Sequence, residues 1–200
     1  MIVIVDYGLG NLRSIQKSFD RIGHHSIISN RFEDINSASK LVLPGVGNFQ
    51  HAMSNINELG LKSKLDNLVL NENKPILGIC LGMQLMTKSS EEGNVNGFGW
   101  INAVTKKFKV DYKIPNIGWS KSKFLFENQL NKGIKLSDEF YYVHSYYVET
   151  FDNKINIFVT NYRNDFVSGF AYDNIFGVQF HPEKSYEPGL ILLDNFAKIK

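Results

Sequence analysis

The sequence predicts an α/β fold, a mostly parallel sheet flanked by helices, with antiparallel strands added in the second half. Three observations predict it. Up to Gly93, short apolar β-branched runs alternate with stretches of helical spacing, the pattern of βαβ units. Beyond Gly93 the chain is rich in aromatic and β-branched residues at the short spacing of antiparallel strands. Between these halves, one apolar strand stops at Cys80 and turns directly into a helix.

Taken in order, residues 2–5 (Ile-Val-Ile-Val) are a strand buried on both faces, as parallel sheets require. A loop over 6–11 leads to a helix over 12–22, with Leu12, Ile15, Phe19 and Ile22 on one face and Gly23 as its C′ residue. Residues 25–29 and 41–43 are the second and third strands, the third closed by Pro44-Gly45-Val46-Gly47. Helices follow over 49–59 and 61–70, separated by Gly60. Ile76, Leu77 and Ile79 form the next strand, and Leu81, Gln84, Leu85 and Lys88 have helical spacing after it. Gly93, Gly97 and Gly99 mark a loop, after which strands are expected over 101–110, 140–148, 155–162, 166–172 and 175–180. Tyr172-Asp173-Asn174-Ile175 is a hairpin turn between the last two. Leu190, Leu193, Phe196 and Ala197 share a face of a terminal helix. Without repeats or linker-like stretches, residues 1–200 read as a single domain.

Composition narrows the function classes. Hydrophobic residues at 43% and charged residues at 21% suit a soluble globular chain with a sizeable core. The net charge of +2 comes from well-mixed signs, which argues against a nucleic-acid stripe or a polybasic membrane patch. Cys80 is the only cysteine, so no intramolecular disulfide can form. With neither a signal-like start nor an apolar run of membrane-spanning length, a cytoplasmic location is expected.

The chemistry starts at Gly78-Ile79-Cys80-Leu81-Gly82, which is G-x-C-x-G, the thiol counterpart of the G-x-S-x-G nucleophile elbow. Glycines two positions either side let strand and helix pass close, and the helix start favours a thiolate. A thiol nucleophile needs a base and a group to orient that base. Among five histidines, His24, His25 and His51 lie where packing or solvated roles are expected. His181 instead ends an apolar strand and precedes Pro182-Glu183. Pro182 holds His181 extended, and Glu183 can reach the second ring N–H. The N–H of Leu81 is a candidate oxyanion donor, and the loop Pro44-Gly45-Val46-Gly47, with Val46 and Gly47 in it, can supply a second. Gly8-Leu-Gly-Asn-Leu-Arg13 imitates the start of a dinucleotide fingerprint, but Arg13 stands at the third glycine and no acidic residue ends the second strand. A structural turn is the reading there, and neither cofactor nor metal is expected.

These residues resemble the class I, triad-type glutamine amidotransferases over the whole chain. Within that family they are most similar to the glutaminase subunits of imidazole glycerol phosphate synthases. The likeness rests on Asp6-Tyr7-Gly8 with Gly10-Asn11-Leu12, Leu43-Pro-Gly-Val-Gly47, Gly78-Ile-Cys-Leu-Gly-Met-Gln84, Tyr142-Val-His-Ser-Tyr146 and Gln179-Phe-His-Pro-Glu-Lys-Ser185. It implies Cys80 as nucleophile, His181 as base and acid, and Glu183 as orienter. It further implies that Gln84, Glu92, Ser145 and Tyr146 hold glutamine. The expected partner is a (β/α)8-barrel synthase subunit in a heterodimer, contacted through Trp119 and Lys184. Ammonia would be channelled to it to form imidazole glycerol phosphate and AICAR in histidine biosynthesis, with low basal activity in the lone subunit. The family segment Pro-His-Met-Gly-Trp-Asn stands here as Pro115-Asn116-Ile117-Gly118-Trp119-Ser120. This departure leaves open a second acceptor, a sugar amidated in surface-polysaccharide synthesis. A non-catalytic regulatory module is the alternative of another class.

Overall fold

The protein is described by a computed structural model covering residues 1–199. Its parallel half comprises β1 (Ile2–Val5), β2 (Ser26–Ser29), β3 (Lys40–Leu43), β4 (Ile76–Ile79) and β13 (Ile175–Val178), in spatial order β2-β1-β3-β4-β13. Between them in the chain lie α1 (Leu12–Arg21), α2 (Phe32–Ser37), α3 (Phe49–Glu58), α4 (Leu61–Asp66) and α5 (Leu81–Leu85). The π-helical stretch Asn67–Asn71 extends α4, so the helix expected over 61–70 is present as two pitches of one element.

Period-2 alternation explains why these strands are apolar throughout. Val3, Val5, Leu41 and Leu43 pack into the core that holds α2, α3 and α4. Ile2, Ile4, Val42, Leu77 and Ile79 face the opposite core with α1 and the terminal helix α6 (Tyr186–Lys198). Both faces are covered, as a parallel sheet demands.

The second half turns antiparallel at β13, which pairs with β12 (Asn164–Tyr172) across the expected hairpin, Asp173 taking a φ of 50°. From β12 the sheet continues through β10 (Tyr146–Thr150) to β7 (Ala103–Lys107), then to the two-residue strands β5 (Ser89–Ser90) and β6 (Val95–Asn96). A branch leaves β12 through β11 (Asn156–Tyr162) and β8 (Asn116–Phe124) to β9 (Glu139–His144).

Four expectations are corrected. The strand expected over 140–148 is two strands broken at Ser145, because β9 pairs with β8 whereas β10 pairs with β7. The strand over 101–110 contracts to β7, whose ladder with β10 ends at Lys107. The helix after Cys80 stops at Leu85, before Lys88, whose N–H bonds Ala103 across the sheet at 2.9 Å. The glycine loop of 93–99 contains β6. The elements α2, β5 and β8 lie outside the expectations; α2 buries only Ile35, and β8 inverts the usual pattern, with polar Asn116 and Ser122 buried and apolar Ile117 and Trp119 exposed. Among the described residues no helix is long and apolar enough to cross a membrane.

Candidate active site

Cys80 joins β4 to α5 with φ 53°, a left-handed conformation that side chains other than glycine rarely adopt. Its neighbours make the turn possible. A Cβ on Gly82 would lie 1.8 Å from the Leu43 carbonyl oxygen, and one on Gly78 would lie 2.7 Å from the Met83 nitrogen. Both glycines are therefore required by close backbone approach rather than by flexibility. The elbow leaves the Cys80 thiol 3.9 Å from the Val143 carbonyl, while Gln179 donates from Nε2 to Sγ at 3.6 Å.

His181 reaches the same place from the end of β13. Its backbone is extended (φ −100°, ψ 94°), as the following proline predicts. The segment is tied to β9: His181 N–H donates to the Tyr141 carbonyl at 2.9 Å, Tyr141 N–H to Ser185 Oγ at 3.0 Å, and that hydroxyl to the His181 carbonyl at 2.6 Å. Nδ1 of His181 donates to Glu183 Oε1 at 2.9 Å, with both side chains almost fully buried. Nε2, without a conventional hydrogen-bond partner, is left toward Cys80. Burial by itself disfavours the imidazolium, but the Cys80 sulfur and the Glu183 carboxylate outweigh it, and the pKa is pushed up to about 10.

In front of Cys80 lies a cavity of about 360 Å³. Val46, Gly47 and Leu81, the expected oxyanion residues, line it together with Gln84, Glu92, Ser145 and Tyr146, the expected substrate residues. Pro115, Val143 and His144 complete its wall. A larger cavity of about 490 Å³ lies between α2 and α4, but its lining holds neither cysteine nor histidine. Glu92 also accepts the Phe49 N–H at 2.7 Å, so this carboxylate satisfies the first turn of α3 while facing the cavity. Among the described residues no His, Cys, Asp or Glu cluster suits a metal ion.

The turn of 8–13 braces the loop above the cavity. Gly8 and Gly10 have φ of 86° and 128°, and a Cβ on Gly10 would sit 3.1 Å from Pro44 Cβ. Tyr7, fully buried, donates its hydroxyl to the Pro44 carbonyl. Desolvation, with Cys80 nearby, drives the Tyr7 pKa well above the phenol range, so it remains a donor.

Sequence reasoning did not assign Gln179, Tyr7, Asn116 or His144. Gln179 was legible as the single polar residue within Phe176-Gly-Val-Gln-Phe180; it also accepts from Gln84 Nε2 at 3.0 Å. His144 donates from Nδ1 to the Tyr146 carbonyl at 2.8 Å and is 3.0 Å from Asn116 Nδ2. Burial holds its pKa down to about 4, with the backbone bond to Tyr146 opposing and His181 adding to the depression.

Trp119 and Lys184 lie outside the cavity but near one another. Trp119 stacks on Tyr186 with ring centroids 5.1 Å apart and meets Tyr141 edge-on at 5.7 Å. Lys184 Nζ is 5.4 Å from the centre of the Tyr141 ring. Ile117 and Tyr186 are 60% and 75% exposed, so solvent-facing apolar side chains flank Trp119 on this face.

The family model described as glutamine amidotransferase class-I matches residues 3–199. The chain is 50% identical over 200 residues to the imidazole glycerol phosphate synthase subunit HisH 2 of Methanococcus maripaludis, covering 99% of each. It is 45% identical over 202 residues to subunit HisH 1 of Campylobacter jejuni (strain 81-176), covering 100% of each. A solved glutamine amidotransferase structure superposes over 100% of both chains with a TM-score of 0.79 at 14% identity, a likeness of fold.

Proposed function

Because the chain belongs to the class I glutamine amidotransferases, we propose that Cys80, His181 and Glu183 hydrolyse glutamine to glutamate and ammonia. The observation that carries this reading is the convergence of a left-handed Cys80 elbow with a buried His181–Glu183 pair bonded at 2.9 Å. His181 holds the proton of the Cys80 thiol, and the sulfur attacks the side-chain carboxamide carbon of glutamine, forming a C–S bond as the C=O π bond opens to an oxyanion. The N–H of Leu81 and of the Val46–Gly47 loop meet that charge, each such donor being worth roughly 3–4 kcal/mol. His181 protonates the departing nitrogen, the C–N bond breaks, and ammonia leaves a thioester. Water then attacks the thioester, His181 takes its proton, and glutamate departs with the thiol restored. Glu183 keeps the imidazole oriented through both steps. Gln84, Glu92, Ser145 and Tyr146 hold the amino acid.

Free ammonia at neutral pH is mostly protonated and no longer nucleophilic, which favours direct transfer to an acceptor site. The relatives' names support a synthase partner, and we assign it a (β/α)8-barrel fold, contacted through Trp119 and Lys184. The product is then imidazole glycerol phosphate with AICAR, in histidine biosynthesis. A cytoplasmic location fits a chain whose one cysteine must stay reduced. A second reading, delivery of ammonia to a surface-polysaccharide sugar, is favoured by Asn116, Ile117 and Ser120 in the segment beside Trp119. Co-purification of the partner and identification of the aminated product separate the two.

Cys80→Ala tests the chemistry itself. Glutamine hydrolysis should fall by at least about 10³-fold while folding persists; undiminished turnover would remove the nucleophile assignment.

A further inference from the structure

We propose that Asn116 is a positioning residue of the glutamine cavity. Its amide N–H donates to Nε2 of His144, which supports the Nδ1–H tautomer and fixes the ring plane, and through the ring positions the Tyr146 carbonyl that holds Gln84. This rests on the glutamine reading above.

The tautomer follows from bond polarity. The Tyr146 carbonyl can only accept, so the His144 nitrogen 2.8 Å from it, Nδ1, must carry a proton. A neutral ring then has a bare Nε2, and the group 3.0 Å from it has to be a donor. The Asn116 amide nitrogen supplies that donor. Asn116 is 3% exposed and sits directly opposite His144 in the β8–β9 ladder, so no solvent can take its place.

The ring is otherwise caged by Phe166, Phe108 and Tyr142, with centroids at 5.2, 5.3 and 5.7 Å. None of these fixes which nitrogen bears the proton. The Tyr146 carbonyl sets that at Nδ1, and the Asn116 amide N–H meets the bare Nε2 from the other side.

The far end of the contact is the substrate wall. The Tyr146 carbonyl uses both lone pairs, one for His144 and one for Gln84 Nε2 at 3.0 Å. Gln84 donates onward to Gln179 Oε1 at 3.0 Å, and Gln179 donates to Cys80 Sγ at 3.6 Å. His144, Tyr146 and Gln84 all line the cavity. A misplaced Tyr146 carbonyl therefore shifts groups that contact glutamine before and during reaction alike, which raises KM more than it lowers kcat.

The test uses the full-length chain with three substitutions. Asn116→Leu keeps the branched shape and removes the donor; KM for glutamine should rise about tenfold with kcat within about threefold. Asn116→His keeps a donor and should hold KM within about threefold of wild type. Asn116→Asp offers an acceptor; long-range ¹⁵N–¹H spectra of the ligand-free protein should show His144 protonated at both nitrogens, against Nδ1 only in wild type. An Asn116→Leu enzyme with wild-type KM, or an Asn116→Asp protein with an unchanged His144 tautomer, would overturn the proposal. If the leucine variant fails to fold, the aspartate spectrum and the histidine KM decide. The KM values are measured with the synthase partner present and the spectra need no substrate, so a wild type inactive even with that partner would defeat the glutamine reading without touching the tautomer assignment.

Discussion

The two halves of this molecule each bring one buried histidine to Cys80, and they drive those histidines in opposite directions. The parallel half places His181 just beyond β13, where burial opposes its protonation but the Cys80 sulfur and Glu183 push its pKa up to about 10. The antiparallel half ends β9 in His144, held down to about 4 because burial has no carboxylate to offset it. Similar burial thus pushes the two rings apart, and the Cys80 sulfur, aided by Glu183, makes the difference at His181. The proton-carrying site comes from residues adjacent in sequence, whereas the neutral wall comes from strand pairing across the sheet.

The most severe way to break the contrast is to remove the elbow that both histidines face. A methyl group on Gly82 would overlap the Leu43 carbonyl oxygen at 1.8 Å, a backbone clash that no rotamer relieves. Gly82→Ala should leave little folded protein at 37 °C by circular dichroism, with a loss above about 4 kcal/mol. Near-normal melting would show that β3 and α5 can separate, and would weaken the close-packing account of the elbow.

Next in size is the acid beside His181. Glu183→Gln keeps an acceptor for Nδ1–H but removes the charge, so the imidazolium that protonates the leaving nitrogen loses its support. The kcat for glutamine should fall by roughly 10²–10⁴-fold. A loss under threefold would reduce Glu183 to a packing residue.

The pH dependence of stability sharpens the same comparison. His181 has a folded pKa above its ordinary 6.5, so its contribution is complete below about pH 6.5 and fades as pH rises through about 10. His144 lies below 6.5, so the folded state resists its protonation, and stability is lost as pH falls from about 6.5 through about 4. The shift for His144 corresponds to about 3 kcal/mol. Urea titrations should show Cys80→Ala flattening the alkaline limb and His144→Gln flattening the acid limb. Identical profiles in all three proteins would mean that the two rings do not differ in charge.

What was legible in the sequence divides along the same line. Gly78 to Gly82 and His181 to Glu183 place their chemistry within short segments, so spacing and backbone restriction suffice to read it. The apolar runs of β1, β3 and β4 were legible because both sheet faces are buried. Asn116 and His144 are 28 residues apart, and only the β8–β9 register brings them together. Ser145 broke an apparently continuous strand because the chain changes partners there, a decision taken by β7 and β8 rather than by local preference. Gln179 lay between these cases, a polar residue in an apolar run whose partner was not visible.

The smallest effect belongs to the surface on the antiparallel side. Trp119 is 41% exposed, held flat against Tyr186 at an interplanar angle of 2°, and flanked by exposed Ile117. A preordered aromatic of this kind loses little entropy on docking and has the character of an interface anchor. Tyr141 joins this patch to the triad, since its ring meets Trp119 and Lys184 while its carbonyl accepts the His181 N–H. Trp119→Ala should weaken synthase binding by about 10–30-fold in titration calorimetry, equivalent to about 1.4–2 kcal/mol. An unchanged Kd would move the docking face away from β8, and would free the departure at Asn116 to Ser120 from any part in choosing the partner.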